Sequence, residues 1–214
     1  MDLKAINDLI RLAKHQESID NKLFKLTLAR LEDLHQSIEV SGENPEEALF
    51  QFAMDYIEHI PEFLNILFQT QKTCGIKDFI APFLVIAEEN LLSSSTEAQL
   101  EALLGKAYFI YRLMEEVNDA YQVKSGIALI PLNMTWDNLI AHTILGEAEA
   151  NTIDDVVQST VKSMLTSAHV YDKKRFNENV CYKDPQQLLA LWSRWPDLSI
   201  DSKADVKFSL RTIC

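Results

Sequence analysis

Hydrophobic residues recur at helical spacing through most of the chain. The pattern predicts amphipathic helices over residues 3–17 and 20–40, with Asp20 as the N-cap of the second. The same pattern predicts a third helix over residues 45–69, and we expect Pro61 to kink or break it. Further helices are predicted over residues 95–121, 135–145, 152–170 and 185–195.

Residues 77–92 have a different pattern, because their apolar side chains point in all directions around a helix. A helix that is apolar on every side is normally buried, and this one is too short to span a bilayer. We therefore expect a buried central helix here. Glu88 falls on its apolar surface, where a carboxylate needs a partner.

The C-terminal residues depart from helical spacing. Residues 206–213 alternate apolar and polar side chains, which is the period of a strand, and no second strand is predicted elsewhere. The fold class is therefore predicted to be all-α, a single-domain bundle of about seven or eight helices around a buried central helix. The bundle would cover residues 1–196, and residues 197–214 would form an extended C-terminal arm.

Composition supports this prediction and limits the partners. The 214 residues include only 5 Gly and 6 Pro, which favours helices over a turn-rich β fold. The net charge of −12 disfavours nucleic acid and anionic membrane surfaces as partners.

The cysteines and the N-terminal residues bear on location. The chain has three cysteines, Cys74, Cys181 and Cys214, which lie far apart in the sequence and form no CxxC pair. No disulfide framework is therefore predicted. Residues 1–16 lack the apolar core of a signal peptide, and no run has the length of a transmembrane helix. We expect a cytoplasmic protein, and no cofactor is predicted.

One motif has the spacing of a metal site. Glu32 and His35 form a Glu-x-x-His pair, as in ferritin-like bundles, and Glu88 could add an inward carboxylate. A second such pair is missing from the sequence. A core histidine bonded to a neighbouring carboxylate explains the motif as well, so a helical metalloenzyme is the alternative hypothesis.

A second acidic stretch lies on the polar face of the helix predicted over residues 95–121. Arg112 precedes Glu115 and Glu116 by three and four residues, which predicts surface ion pairs, with Asp119 on the same outer face. The DDxxD run that isoprenoid synthases use to bind magnesium diphosphate is absent from the sequence.

Two further groups are candidates for binding. Met134, Trp136 and His142 lie beside an extended loop, and with Glu88 they are the candidate lining of a small-molecule pocket. The candidate interface residues are aromatic side chains near the C-terminus, namely Trp192, Trp195 and Phe208.

The leading functional hypothesis is a binding or regulatory protein. It would act through a partner protein or a small apolar ligand, and the C-terminal arm would make it a homodimer. The sequence contains no GxSxG, HExxH or glycine-rich phosphate loop that would favour an enzyme.

Overall fold

The computed structural model describes residues 1–41, 44–74, 77–93, 98–126, 128–166, 185–193, 195 and 207–210. Nine helices and two short strands lie in these residues. In chain order they are α1 (Leu3–Asp20), α2 (Lys22–Ser37), β1 (Ile38–Ser41), α3 (Pro45–Glu58), α4 (Ile60–Cys74), α5 (Lys77–Leu92), α6 (Leu100–Ser125), α7 (Thr135–Leu145), α8 (Glu147–Thr166), α9 (Pro185–Trp192) and β2 (Lys207–Leu210). The predicted all-α, multi-helix fold is confirmed.

Helix α6 is the centre of the bundle. It is 26 residues long, and its Tyr108, Tyr111 and Leu113 are almost completely buried. It packs against α1, α2, α3, α5, α7 and α8. Because so many elements contact α6, its polar face also lies under neighbouring helices, which is where the candidate site forms.

The prediction that residues 77–92 are the buried central helix is wrong. Helix α5 packs against α1, α4 and α6 on one side, and Val85 on the other side is 53% exposed. Pro82 and Glu89 are exposed on the same outer face. The lack of periodicity reflects apolar residues left at the surface, not burial on every side.

The chain breaks between α3 and α4, close to the predicted position. His59 ends α3, and Pro61 is the second residue of α4, where its missing backbone N–H costs no hydrogen bond. The predicted break is confirmed, and it divides one predicted helix into two.

The two strands form an antiparallel ribbon in which Ile38 lies opposite Leu210 and Ser41 opposite Lys207. The predicted strand is confirmed for residues 207–210, but the expectation that no second strand exists is wrong. Ile38 and Val40, two residues apart, are both buried. The spacing of buried residues therefore changes at Ile38 from that of a helix to that of a strand. The C-terminal strand therefore pairs with its own chain.

Candidate functional site

Arg112 on α6 is the cation of a polar cluster that lies between α6, α7 and α8. Its guanidinium donates to Glu115, to Glu116 at 2.8 Å and to Asp154 of α8 at 3.3 Å. The side chains of Arg112 and Glu115 are only 21% and 12% exposed. The predicted ion pairs are confirmed, but they lie half-buried under neighbouring helices and not on an open surface.

Glu115 is also fixed by the start of α7. The Thr135 hydroxyl donates to its Oε1 at 2.5 Å, and the Asn138 amide donates to its Oε2 at 2.7 Å. The Asn138 Oδ1 in turn accepts the hydroxyl of the buried Tyr56 at 2.6 Å. A chain of hydrogen bonds thus runs from the core of α3 to the Glu115 carboxylate.

Tyr108 closes the other side of the cluster. Its hydroxyl donates to the two Asp154 oxygens at 3.1 and 3.2 Å, and its ring meets His142 edge-on with centroids 6.0 Å apart. Burial, and then the charge of Asp154, raise the pKa of Tyr108 above its usual value. Tyr108 therefore stays protonated at neutral pH and acts as a donor.

The charges in the cluster do not balance. Burial would lower the pKa of Arg112, but its hydrogen bond and charge interaction with Glu115 outweigh burial and raise that pKa above the usual value. One permanent cation therefore faces three carboxylates, those of Glu115, Glu116 and Asp154. The cluster is net acidic.

Two cavities adjoin this cluster and share Glu115 and Thr135 in their walls. The larger, of ≈ 430 Å³, lies between the second half of α6 and residues 128–135. The smaller, of ≈ 270 Å³, is lined by Tyr108, Arg112, His142 and Asp154, among others. The loop over the larger cavity is fixed by Asn118, whose buried Oδ1 accepts the Ile130 N–H at 3.0 Å.

The four predicted pocket residues separate in the structure. Met134 lines the larger cavity and His142 the smaller one, while Trp136 lines neither and packs half-buried against the core. Glu88 also lines neither. Its carboxylate lies 3.3 Å from the Met1 amino group and accepts the Asp2 N–H at 2.5 Å.

The sequence pattern did not predict four members of the site, which are Tyr108, Thr135, Asn138 and Asp154. The part of the site on α6 could have been predicted from the sequence. Its residues follow one another at intervals of four, three and four, and they are Tyr108, Arg112, Glu115 and Asp119. That spacing places polar groups along one side of α6. The contributions of α7 and α8 depend on tertiary packing, which no spacing within α6 reveals.

The predicted metal ligands do not form a described site. Glu32 is exposed, Glu88 bonds to the start of α1, and the side chain of His35 lies outside the described part of the structure. Among the residues that are described, no group of three or more His, Cys, Asp or Glu side chains could hold a metal ion.

The predicted interface residues pack on their own chain where they are described. Trp192 is 4% exposed and lies with its ring centroid 6.0 Å from that of Phe63 on α4. Trp195 contacts Phe63 and Tyr111 at centroid distances of 5.3 and 6.1 Å. The side chain of Phe208 lies outside the described residues. An interface role stays a prediction.

No known protein family, curated protein sequence or solved structure matches the chain. In the described helices, no segment is both long and apolar enough to cross a membrane. What the protein binds therefore has to be inferred from the site itself.

Proposed function

We propose that this protein is a non-enzymatic binding protein that takes a small, partly apolar cation into the site between α6, α7 and α8. The observation that supports this best is the pair of adjoining cavities around Glu115, in a cluster where one guanidinium faces three carboxylates. A net acidic, partly dehydrated cavity attracts a positive ligand more strongly than open solvent does.

The walls of the larger cavity fit an amphipathic ligand. Its apolar lining includes Met114, Ile130, Leu132 and Met134, which suit a hydrocarbon group. Its volume of ≈ 430 Å³ is in the range of small-molecule sites. The ligand would place its alkyl part against these side chains and its charged end towards α6.

Asp119 is the carboxylate we assign to the charged end of the ligand. It lines the larger cavity one turn beyond Glu115, it is exposed, and it forms no hydrogen bond or ion pair with any residue that the structure describes. Glu115, by contrast, already accepts from Arg112, Thr135 and Asn138. Glu115 would therefore add charge to the site, while Asp119 makes the direct contact.

The rigidity of the site favours binding over chemistry. Tyr56 and Asn138 hold Glu115 in place before any ligand arrives, so little ordering entropy is lost on binding. A tyrosine is protonated at neutral pH in any case, and burial and the charge of Asp154 raise the pKa of Tyr108 further above its usual value, so it is a poor general base.

Thermal unfolding with three six-carbon probes tests the proposed ligand class. Hexylammonium is expected to raise the Tm by about 3–6 °C at ten times its Kd, because a ligand that binds only the folded state stabilises it. Hexanol has the same alkyl chain without the charge and should raise it less. Hexanoate reverses the charge and should leave it unchanged.

Two results would count against the proposal. Equal stabilisation by hexylammonium and hexanol would mean that the carboxylates take no part in recognition. The absence of any shift with hexylammonium at millimolar concentration would mean that the cavities do not bind this class of molecule.

Our second proposal is association through the C-terminal residues, as a homodimer or with another protein. It is supported by the outer face of α9, where Leu189 is 56% exposed beside the buried Trp192. Light scattering of the full chain should then give the mass of a dimer, and Leu189→Lys should reduce it to that of a monomer. A monomer in the unmodified chain at about 100 µM, a concentration that detects even weak dimers, would reject the homodimer.

Two further expectations stay proposals. A cytoplasmic location rests on the odd number of cysteines and the lack of a CxxC pair, and cell fractionation would test it. The alternative of a metalloenzyme built on Glu32, His35 and Glu88 would require stoichiometric iron or manganese in protein purified without chelator. Elemental analysis decides it.

A further inference from the structure

An aromatic cluster lies where α9 and the residues after it meet α4 and α6. We define it as Phe63, Tyr111, Trp192 and Trp195, and Trp192 is the residue that α9 contributes. Phe63 of α4 lies at the centre, with its ring centroid 5.0 Å from that of Tyr111 and 6.0 Å from that of Trp192. Trp192 of α9 therefore packs on Phe63, and Trp195, which follows α9, packs on both Phe63 and Tyr111 of α6.

Two polar atoms in this cluster are buried without a hydrogen-bond partner among the described residues. Tyr111 is 0% exposed and Trp192 is 4% exposed. Neither the Tyr111 hydroxyl nor the Trp192 Nε1–H has a hydrogen-bond partner in the part of the chain that the structure describes. Buried polar groups in native proteins are normally paired, so two orphaned groups in one cluster require an explanation.

A neighbouring tyrosine provides the contrast. Tyr56 is equally buried, and its ring centroid lies 4.6 Å from that of Tyr111. Its hydroxyl, however, donates to Asn138 at 2.6 Å. The core therefore can pair a buried tyrosine at this depth, so depth of burial alone does not explain why the Tyr111 hydroxyl has no partner among the described residues.

Unpaired burial opposes the docking of α9, because Trp192 lies on α9 and Trp195, which follows it, contacts Tyr111. Each group loses its hydrogen bonds to water when α9 docks and recovers them when α9 leaves. Helix α9 has 8 residues, too few for a stable isolated helix, so it depends on this contact. Its described packing is mainly against α4.

We propose that α9 is a displaceable strap, which undocks from the aromatic cluster while the other helices stay folded. Undocking exposes the aromatic rings of Phe63 and Tyr111 and hydrates the Tyr111 hydroxyl and the Trp192 N–H. This local opening is separate from the binding site between α6, α7 and α8, and it does not depend on the function proposed there.

Hydrogen exchange of the full chain, read by mass spectrometry, tests the strap. In the unmodified protein the amides of α9 should exchange well before those of α6, because local opening requires less free energy than global unfolding. Tyr111→Phe removes the unpaired hydroxyl and keeps the ring. It should slow exchange in α9 by about tenfold, because the docked state no longer buries an unsatisfied group.

Tyr56→Phe is the matched control, because it deletes the same atom from an equally buried ring whose hydroxyl is bonded to Asn138. It should leave exchange in α9 unslowed. Exchange of α9 at the same rate as α6 in the unmodified protein would overturn the strap. The strap would also be overturned if Tyr111→Phe left the exchange rate of the α9 amides unchanged or increased it.

Discussion

At the scale of single residues, the buried amide of Asn138 joins the core to the candidate site. Its oxygen accepts from Tyr56 and its nitrogen donates to Glu115, so one side chain uses both its functions in one network. Asn138 is 3% exposed, and each bond it makes is worth more there than at the surface. The position of Glu115 therefore depends, through Asn138, on Tyr56, which lines neither cavity.

Two glycines provide a residue-scale prediction. Gly146, between α7 and α8, has φ +88° and ψ 150°, a region that only glycine adopts readily, and an added Cβ would lie 2.6 Å from Arg30 Nη2. Gly126 has φ +79° and ψ −1°, near the left-handed helical region, and an added Cβ would have no atom of the described residues within 4 Å. Gly146→Ala should cost about 3 kcal/mol of unfolding free energy and Gly126→Ala roughly 1 kcal/mol.

Urea unfolding measures both glycine variants on the same scale. Both substitutions add one methyl group at the end of a helix, and the two sites differ in backbone conformation and in the contact that a Cβ at position 146 would make with Arg30. Equal losses at the two positions would show that the backbone conformation and the Arg30 contact together cost no more at Gly146 than the conformation of Gly126 does.

The sequence predicted some residue contacts and not their surroundings. The Arg112–Glu115 pair follows from helical spacing, and so does its place on the polar face of α6. Its burial does not, because Thr135 and Asp154 come from helices whose packing depends on the whole fold. Glu88 was correctly expected to need a partner, which turned out to be the start of α1.

At the scale of elements, the junction of α1 and α2 depends on one buried carboxylate. Glu17 accepts the Leu23 N–H at 2.9 Å and the Phe24 N–H at 3.0 Å, which pairs two free amides in the first turn of α2. The sequence predicted Asp20 for this role, but of the described backbone amides at the start of α2 Asp20 accepts only that of Lys22, at 3.3 Å, and its other oxygen accepts the Gln16 side-chain amide at 3.1 Å. The longer Glu17 side chain reaches across because Asn21 adopts a left-handed φ of 52°.

Glu17→Ala should therefore lower the free energy of unfolding by about 2 kcal/mol, because two buried amides lose their acceptor. Glu17→Gln keeps one oxygen and should lose roughly half as much. Glu32→Ala removes an exposed carboxylate from α2 and serves as the control, with a change within about 0.5 kcal/mol. A loss in Glu17→Ala no larger than in the control would contradict the capping role.

Element boundaries were predictable where a residue type decides them. Pro61 marks the break between α3 and α4, because proline suits the first turn of a helix and not its interior. The strand at Ile38–Ser41 was missed because Leu34 and Ile38 continue the helical stripe of α2. Its partner, β2, lies 166 residues further along the chain, from Ser41 to Lys207, where no local pattern links them.

At the scale of the whole molecule, the charge of the site agrees with that of the chain. The protein has a net charge of −12, and the cluster around Arg112 has an excess of carboxylates. Such a field attracts cations in general, so the binding of one must be distinguished from non-specific attraction. The distinction requires two variants of equal charge, one inside the site and one outside it.

Calorimetric titration of the full chain with hexylammonium makes that comparison. Asp119→Asn removes the carboxylate assigned to the ligand, and Glu89→Gln removes one equal charge from the exposed face of α5, which lines neither cavity. We expect one site per chain, with affinity reduced about three- to tenfold by Asp119→Asn and unchanged by Glu89→Gln. Equal weakening by the two variants, or no saturable binding, would contradict the proposed site.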